Sequence, residues 1–436
     1  MSIHQDTIVG LSSGALPSGI AILRVSGPAC EKIVQALKCD LPVARAAKLS
    51  RFLDPESGDL LDQGLLLWFP ASSSFTGEDC LELHLHGSRA VVYKLLSVLS
   101  GMETVRLAEA GEFSRRAFEN GKFDLTEIEG IADLIGAETE EQRKLALDQM
   151  QGSLRKLYED WRSRLIRAQA LIEAELDFSD EDDVPDDTSV AVRDIILALN
   201  SEILRHLTDN RAGEIIRDGF RVVVMGKPNV GKSSLLNHLA KREVAIVTEQ
   251  AGTTRDILDV HLDIGGYAVI LSDTAGLRET DDIVELEGIR RAHAASRLAD
   301  FIIQLCPSDT EDKQIEGLTS PVLRLISKDD KGDREPGRSI SVKTGHGIDQ
   351  LIEMISLQIE KQLNMSENAL MTRERHRFAI SECHENIKQL LDGSVMASEL
   401  KAELLRSAAA NLGKVIGRVD VEDLLDVIFS EFCVGK

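Results

Sequence analysis

The sequence predicts a multidomain α/β protein: an α+β domain first, then a helical domain interrupted by an inserted domain of alternating strands and helices. Three observations predict it. The chain of 436 residues is too long for one core, and the length prior points to about three domains. Helical texture stands on both sides of the stretch from Phe220 to about Leu357, and the close termini of compact domains make such an insertion feasible. Within that stretch Arg221–Met225 is a short apolar strand, followed by Gly226-Lys227-Pro228-Asn229-Val230-Gly231-Lys232-Ser233-Ser234 and a Leu-rich helix. That is G-x-x-x-x-G-K-S with a strand before and a helix after, the context that identifies a phosphate-binding P-loop.

Taken in order, residues 1–121 mix short apolar runs with turn signals. Gly19–Val25 and Leu65–Phe69 read as strands, Cys80–Leu85 alternates like one, and Ala90–Leu99 reads as a helix. From about Leu125 the texture changes, and residues 122–217 are the first part of the helical domain. Glu127–Phe178 is nearly free of Pro, rich in Ala, Leu, Glu, Gln and Arg, and apolar at helical spacing. Asp177–Asp187 holds seven acidic residues in eleven, ending the helix near Pro185 as a solvated loop without a catalytic role. Val190–Leu207 resumes the helical pattern. Residues 218–362 are the inserted domain, and residues 363–436 complete the helical one. There Leu400, Leu404 and Leu405 form one apolar stripe, and Leu424, Leu425, Ile428, Phe429 and Phe432 another.

Composition narrows the function classes. A net charge of -23 argues against broad nucleic-acid binding, because phosphate neutralisation needs clustered Lys and Arg, so an RNA partner must meet a local basic patch or be presented by another protein. Aromatic residues are only 4%, too few for a stacking platform for single strands. Cys30, Cys39, Cys80, Cys306, Cys383 and Cys433 are scattered without a C-x-x-C pair, indicating neither a disulfide framework nor a zinc knuckle. His84 and His86 alternate on one strand face, but with no third ligand evident a packing or pocket-lining role is favoured over metal binding. No stretch approaches the length of a membrane span, and no basic n-region precedes an apolar run at the start, which predicts a cytoplasmic protein. The final Cys433-Val434-Gly435-Lys436 is not a prenylation box, since Gly435 is not aliphatic and Lys436 is not a usual last residue.

The motifs that follow the P-loop define its substrate. Backbone N–H groups of residues such as Asn229, Val230 and Gly231 and the helix N-terminus suit phosphates. Lys232 is placed to neutralise β- and γ-phosphate charge, Ser233 to bind Mg²⁺, with Ser234 beside it. Gly252-Thr253-Thr254-Arg255-Asp256 sits where switch I belongs, with Thr254 as the second hydroxyl on Mg²⁺. The strand Val269–Ser272 runs into Asp273-Thr274-Ala275-Gly276, the switch II signal, in which Asp273 holds the metal through its water shell and the Gly276 N–H senses the γ-phosphate. After the strand Pro321–Ile326 comes Ser327-Lys328-Asp329-Asp330, where the usual pattern is Asn-Lys-x-Asp. The Asp330 carboxylate accepts from guanine's imino and amino groups, which adenine cannot supply. Ser327 removes an amide that normally braces this region, so nucleotide affinity is expected to be weaker with preference for GTP retained. Ser341-Val342-Lys343-Thr344 is the loop that closes over the base. The inserted domain is therefore a Ras-like P-loop GTPase domain.

Leu277 stands where Ras-like proteins carry the water-orienting Gln, so hydrolysis needs another device. Together with Asn229, Gly252–Asp256, Asp273–Leu277 and the ending Phe432-Cys433-Val434-Gly435-Lys436, the chain resembles the tRNA modification GTPases of the MnmE/TrmE family. Asp6–Val9, Ile22–Gly27, Ser74–Asp79, Gly111–Ser114 and Arg116–Phe118 extend the resemblance over essentially the whole chain, with Ser88 a small departure where members carry a second Gly.

The resemblance implies K⁺-dependent dimerisation of the GTPase domains, the ion held by Asn229, Thr248, Gln250 and Thr253 and acting like an arginine finger. It implies that Glu285 orients the attacking water through a second water, whereas on the residues alone Glu285 reads as a solvated switch II side chain. It implies a folate-binding-like N-terminal domain, the constitutive homodimer interface, holding a 5-formyltetrahydrofolate-type donor at Arg24, Glu82, Lys122 and Lys436. A carboxylate suits a pterin's donors, and Arg or Lys suits its glutamate tail. On the residues alone Glu82 reads as a strand ion pair, and Lys122 and Lys436 as solvated charges. Cys433 falls near that pocket by motif position, or is a small partly buried apolar residue. The implied role is modification of the tRNA wobble uridine with an FAD-dependent MnmG/GidA-type partner. The rivals are a regulatory or ribosome-assembly GTPase switch, for which no KH-type G-x-x-G clamp follows Thr344, and a scaffold with a vestigial nucleotide site, against which Lys232, Ser233, Thr254 and Asp273 are all intact.

Overall fold

In this computed structural model the described residues are 5–177, 187–209, 211–242, 244–246, 259–273, 299–307, 320–335, 337–363, 370–393, 396–419, 425–426, 428–429, 432 and 435. The chain divides into two units, Met1–Ala132 with Gly413–Lys436 and Asp133–Leu412.

The first unit is built on a sheet of order β3-β4-β5-β2-β1-β6. Its strands are β1 (Thr7–Leu11), β2 (Ser18–Ser26), β3 (Lys48–Leu53), β4 (Leu60–Phe69), β5 (Cys80–Gly87) and β6 (Val105–Leu107). All neighbours are antiparallel except β1 with β6. Period-two alternation sends Leu23, Val25, Leu81 and Leu83 to one face, where Ile33 and Val34 of α1 (Cys30–Ala36) and Val92, Leu95 and Leu99 of α2 (Arg89–Ser100) cover them. Ser88 caps α2, its hydroxyl accepting from the Val91 N–H.

Two short helices, α3 (Glu112–Glu119) and α4 (Leu125–Gly136), follow the sheet. The C-terminal apolar stripe returns to them: Leu425, Ile428, Phe429 and Phe432 form one core cluster with Leu125 and Ile128. Gly111, at φ 67, must be glycine, because a Cβ there would collide with the Phe429 carbonyl. Fully buried Arg116 gathers Asp6, Glu78 and Glu112, tying β1's approach, the loop before β5 and α3 together. Burial opposes the charge on Arg116, but the facing carboxylates hold its proton more tightly than in water.

In the second unit the predicted Glu127–Phe178 pattern is broken twice. α5 (Glu140–Met150) starts at a capping box of Thr139 and Gln142, and α6 (Ser153–Asp177) follows Gly152 at φ 80. α7 (Asp187–Leu207) packs along α6, and α8 (Ala212–Asp218) leads directly into the second sheet. That sheet has the order β12-β11-β10-β7-β9-β8, from β7 (Phe220–Gly226), β8 (Val260–Ile264), β9 (Tyr267–Asp273), β10 (Phe301–Cys306), β11 (Val322–Ser327) and β12 (Ser339–Ile340). Only the β8–β9 pair is antiparallel. Covered on both faces, Val222–Met225 of β7 and Phe301–Ile303 of β10 are continuous apolar runs, with Gln304 a buried polar residue at the end of the second. α9 (Lys232–Leu239) and α10 (Ile348–Leu363) close its core. α11 (Glu374–Asp392) and α12 (Ser398–Ile416) rejoin the helical region.

Helices outside the sheet grip it at two places. The Glu141 N–H donates to the Gly266 carbonyl in the β8–β9 turn, and Gln142 Nε2 to the Arg217 carbonyl. Arg377 of α11 bridges Asp209, Glu214 and the Leu207 carbonyl, so α8 is fixed just before β7. Among the described residues no helix is long and apolar enough to cross a membrane.

Candidate functional site

β7 ends in the loop that the P-loop motif anticipates. Gly226 (φ 151) and Gly231 (φ 111) hold left-handed backbone, and a Cβ on Gly226 would strike the Leu305 carbonyl of β10, which fixes glycine there. Asn229 is also left-handed, at φ 62. The loop turns into α9, whose first residue, Lys232, is largely buried with its Nζ donating to the carbonyls of Gly226 (3.0 Å) and Lys227 (3.3 Å). Val230 is buried, whereas Asn229, Ser233 and Ser234 are exposed. The ammonium is therefore parked across the loop, where phosphate oxygens can replace carbonyl oxygens as acceptors.

Two further loops converge on the P-loop. Lys328, left-handed at φ 62, extends its Nζ to the Asn229 carbonyl at 2.7 Å. Asp330 accepts from Ser341 Oγ at 2.7 Å and lies 3.7 Å from Lys343 Nζ. Val342 packs against the domain core. Ser327, buried at the end of β11, donates its hydroxyl to the Cys306 carbonyl at 3.2 Å instead of reaching the P-loop. The backbone of Asp273 ends β9 beside Val224 of β7, at the same edge of the sheet as the P-loop. The Asp273 side chain, Thr248, Gln250, Thr253, Thr254, Thr274, Ala275, Gly276 and Glu285 lie outside the described residues.

The first unit carries a second constellation. Gly10, Arg24, Glu82 and Leu67 form one row across β1, β2, β5 and β4. Arg24 donates to Glu82 Oε1 from both Nε (3.2 Å) and Nη2 (3.0 Å), and His84 Nε2 lies 3.3 Å from Glu82 Oε2. The guanidinium stands 5.6 Å from the Phe75 ring and 5.9 Å from the Phe113 ring. Lys122 donates to the Ser72 carbonyl, on the loop that carries Phe75. The chain end reaches this row: Ser12 Oγ donates to the Gly435 carbonyl, and a Cβ placed on Gly10 would lie 3.5 Å from Gly435 Cα. Lys436 and Cys433 lie outside the described residues. His86 pairs with Asp62, away from His84, and among the described residues no three His, Cys, Asp or Glu side chains are grouped to hold a metal.

The family models of the MnmE helical domain and of the GTP-binding protein TrmE N-terminus match residues 125–433 and 7–122. The chain belongs to the MnmE family of tRNA modification GTPases. The tRNA modification GTPase MnmE of Agrobacterium fabrum is 49% identical over 447 residues, covering 100% of both chains. That of Brucella ovis is 48% identical over 437 residues, covering 99% of each. Among solved structures, Aquifex aeolicus Era aligns with 38% of this chain and 66% of its own at 26% identity and TM-score 0.25. The FeoB G-domain of Methanococcus jannaschii aligns with 32% of this chain and 98% of its own, at 17% identity and TM-score 0.25. This MnmE-family chain is a GTPase. Motif reading took in Phe75 and Phe113 only as parts of Ser74–Asp79 and Gly111–Ser114 and gave them no role, and it passed over Asp329, whose place in the motif is unrestricted.

Proposed function

We propose that this chain couples GTP hydrolysis to formation of an aminomethyl or carboxymethylaminomethyl group on the wobble uridine of tRNA. It acts in the cytoplasm as a homodimer, in a heterotetramer with an FAD-dependent protein of MnmG/GidA type. The observation that carries the proposal is the end-to-end kinship with tRNA modification GTPases, joined to a P-loop with Lys232 and Ser233 intact. The GTPase domain spans 218–362, and the one-carbon donor site lies in the domain 1–121.

In the GTPase domain Lys232 exchanges its loop carbonyls for the β- and γ-phosphates. The Asp330 carboxylate, steadied by Ser341, receives the guanine N–H donors, and the aliphatic stem of Lys328 lies along the base. Glu285 orients the attacking water through a second water. The neutral oxygens of exposed Asn229 and Ser233 are a donor set that suits hard cations, which supports a site for K⁺ at Asn229, Thr248, Gln250 and Thr253 and for Mg²⁺ at Ser233 and Thr254. When bound, the two cations supply positive charge against the phosphate oxygens. In the first unit, Glu82 presents an acceptor to the N–H edge of a pterin and Phe75 and Phe113 present flat apolar faces, which supports a 5-formyltetrahydrofolate-type ligand there. Arg24, Lys122 and Lys436 offer cations for its carboxylates.

Mass-spectrometric nucleoside analysis of bulk tRNA tests the proposal. Deleting the gene removes the modified wobble uridine, and the intact gene restores it while a Lys232→Ala version does not. An unchanged nucleoside profile refutes the tRNA role and leaves a GTPase switch.

A further inference from the structure

We propose that Asp329 is the positioning residue for guanine selectivity, taking over the bracing that Asn supplies in the usual Asn-Lys-x-Asp motif. The inference rests on the GTPase reading of this site.

Three observations carry it. First, the Ser327 hydroxyl spends its one proton on the Cys306 carbonyl at the end of β10, so it has no donor left to give the P-loop. Second, the loop needs a brace: Lys328 holds left-handed backbone, which a residue with a Cβ keeps only when its surroundings over-determine it. Third, Asp329 is nearly buried and bonded on every side. Its Oδ2 accepts from Ser339 Oγ at 2.8 Å and from the Arg334 N–H at 3.3 Å, and its Oδ1 accepts from the Asp333 N–H at 3.4 Å. Its own N–H donates to the Ile340 carbonyl, and its carbonyl accepts from the Gly332 N–H. The Ser339 hydroxyl holds the carboxyl below its usual range, as do the two amides and nearby His346, against the opposing pull of burial.

The consequence is geometric. Asp329–Ser339, the Asp329 N–H to Ile340, and Asp330–Ser341 are three successive rungs between the base-reading loop and β12 with its following turn. The left-handed residue turns the Lys328 side chain to the P-loop and the next side chain into the domain. Asp330 is then held in place by both neighbours. A carboxylate displaced by about an ångström loses hydrogen bonds to the base while leaving phosphate contacts intact.

The test uses the full chain and compares Kd for GDP with Kd for IDP, which lacks the exocyclic amino group, by competition against a fluorescent nucleotide. Asp329→Ala and Ser339→Ala are each expected to reduce the IDP/GDP ratio about tenfold, as for one hydrogen bond to a charged acceptor, and the double variant no further. Installing Ser327→Asn in the Asp329→Ala background is expected to restore part of the ratio. Ser339→Ala removes one hydroxyl, so it keeps the test decisive if Asp329→Ala does not fold. An unchanged ratio with both nucleotides weakened alike overturns the proposal and leaves Asp329 a packing residue. If the unaltered protein shows no preference for GDP over IDP, the failure lies in the guanine-site reading beneath it.

Discussion

Acidification is expected to loosen the α6–α7 pair through one side chain, His206. It lies in a buried aromatic nest, with Tyr158 and Trp161 meeting its ring edge-on at 5.7 and 5.4 Å and the Tyr158 hydroxyl 3.0 Å from Nε2. Burial pushes its pKa down from 6.5 to about 4; Asp209 pulls it up, while Arg377 and His376 add to the depression. With Nε2 unprotonated it accepts from Tyr158, and protonation converts that acceptor into a second donor. Because the folded pKa lies below the unfolded one, the stabilisation is complete above pH 6.5 and is lost as pH falls towards 4. At about 1.4 kcal/mol per unit, the loss is about 3 kcal/mol, of which about 2 kcal/mol is gone by pH 5. Urea unfolding followed at Trp161 in a Trp68→Phe background, at pH 7.5 and pH 5, measures it. His206→Gln keeps an acceptor for Tyr158 and removes the titration, so it should lose about 2 kcal/mol less than the parent over that interval. Equal losses in both proteins refute the reasoning.

Two substitutions separate the remaining sites. Gly435→Ala places a Cβ against the Leu11 carbonyl at a left-handed position (φ 97), so the chain end must leave β1. Calorimetry should show formyltetrahydrofolate binding weakened at least about tenfold, with GDP affinity unchanged; undiminished binding removes the tail from the proposed donor site. Lys328→Ala deletes the bond from Nζ to the Asn229 carbonyl and so uncouples the base-reading loop from the P-loop. Stopped-flow release of fluorescent GDP should quicken about tenfold, the scale of one charge-assisted hydrogen bond, and an unchanged release rate refutes that coupling.

What the sequence made legible was whatever its neighbours in sequence determine. The P-loop is contiguous, so a strand, two left-handed glycines and a helix start follow from local pattern alone. The strands read at Gly19–Val25, Leu65–Phe69 and Cys80–Leu85 became β2, β4 and β5, each longer than its apolar core because pairing partners extend a strand past its hydrophobic pattern. The breaks at Thr139 and Gly152 escaped notice because one capping pair and one glycine hardly dent a helical periodicity. The stripe at Leu425, Ile428, Phe429 and Phe432 announced an amphipathic helix but carried no address, and the cluster with Leu125 and Ile128 supplies one. The bracing of Asp329 was invisible for a similar reason. Its anchor, Ser339, stands ten residues away, and an Asp-Asp pair in a polar loop looks like any solvated turn.

The return of Gly413–Lys436 to the unit that begins the chain sets an order of events at the ribosome. The apolar sides of Leu125 and Ile128, and the space beneath Gly111, receive Phe429 and its neighbours only after all of Asp133–Leu412 has been made. The first unit thus stays unfinished through most of translation, with a greasy surface waiting for its cover. A message truncated before the codon for Leu425 yields a chain that keeps the residues of the GTPase core but lacks the cover for Leu125 and Ile128, a natural substrate for chaperones and proteases.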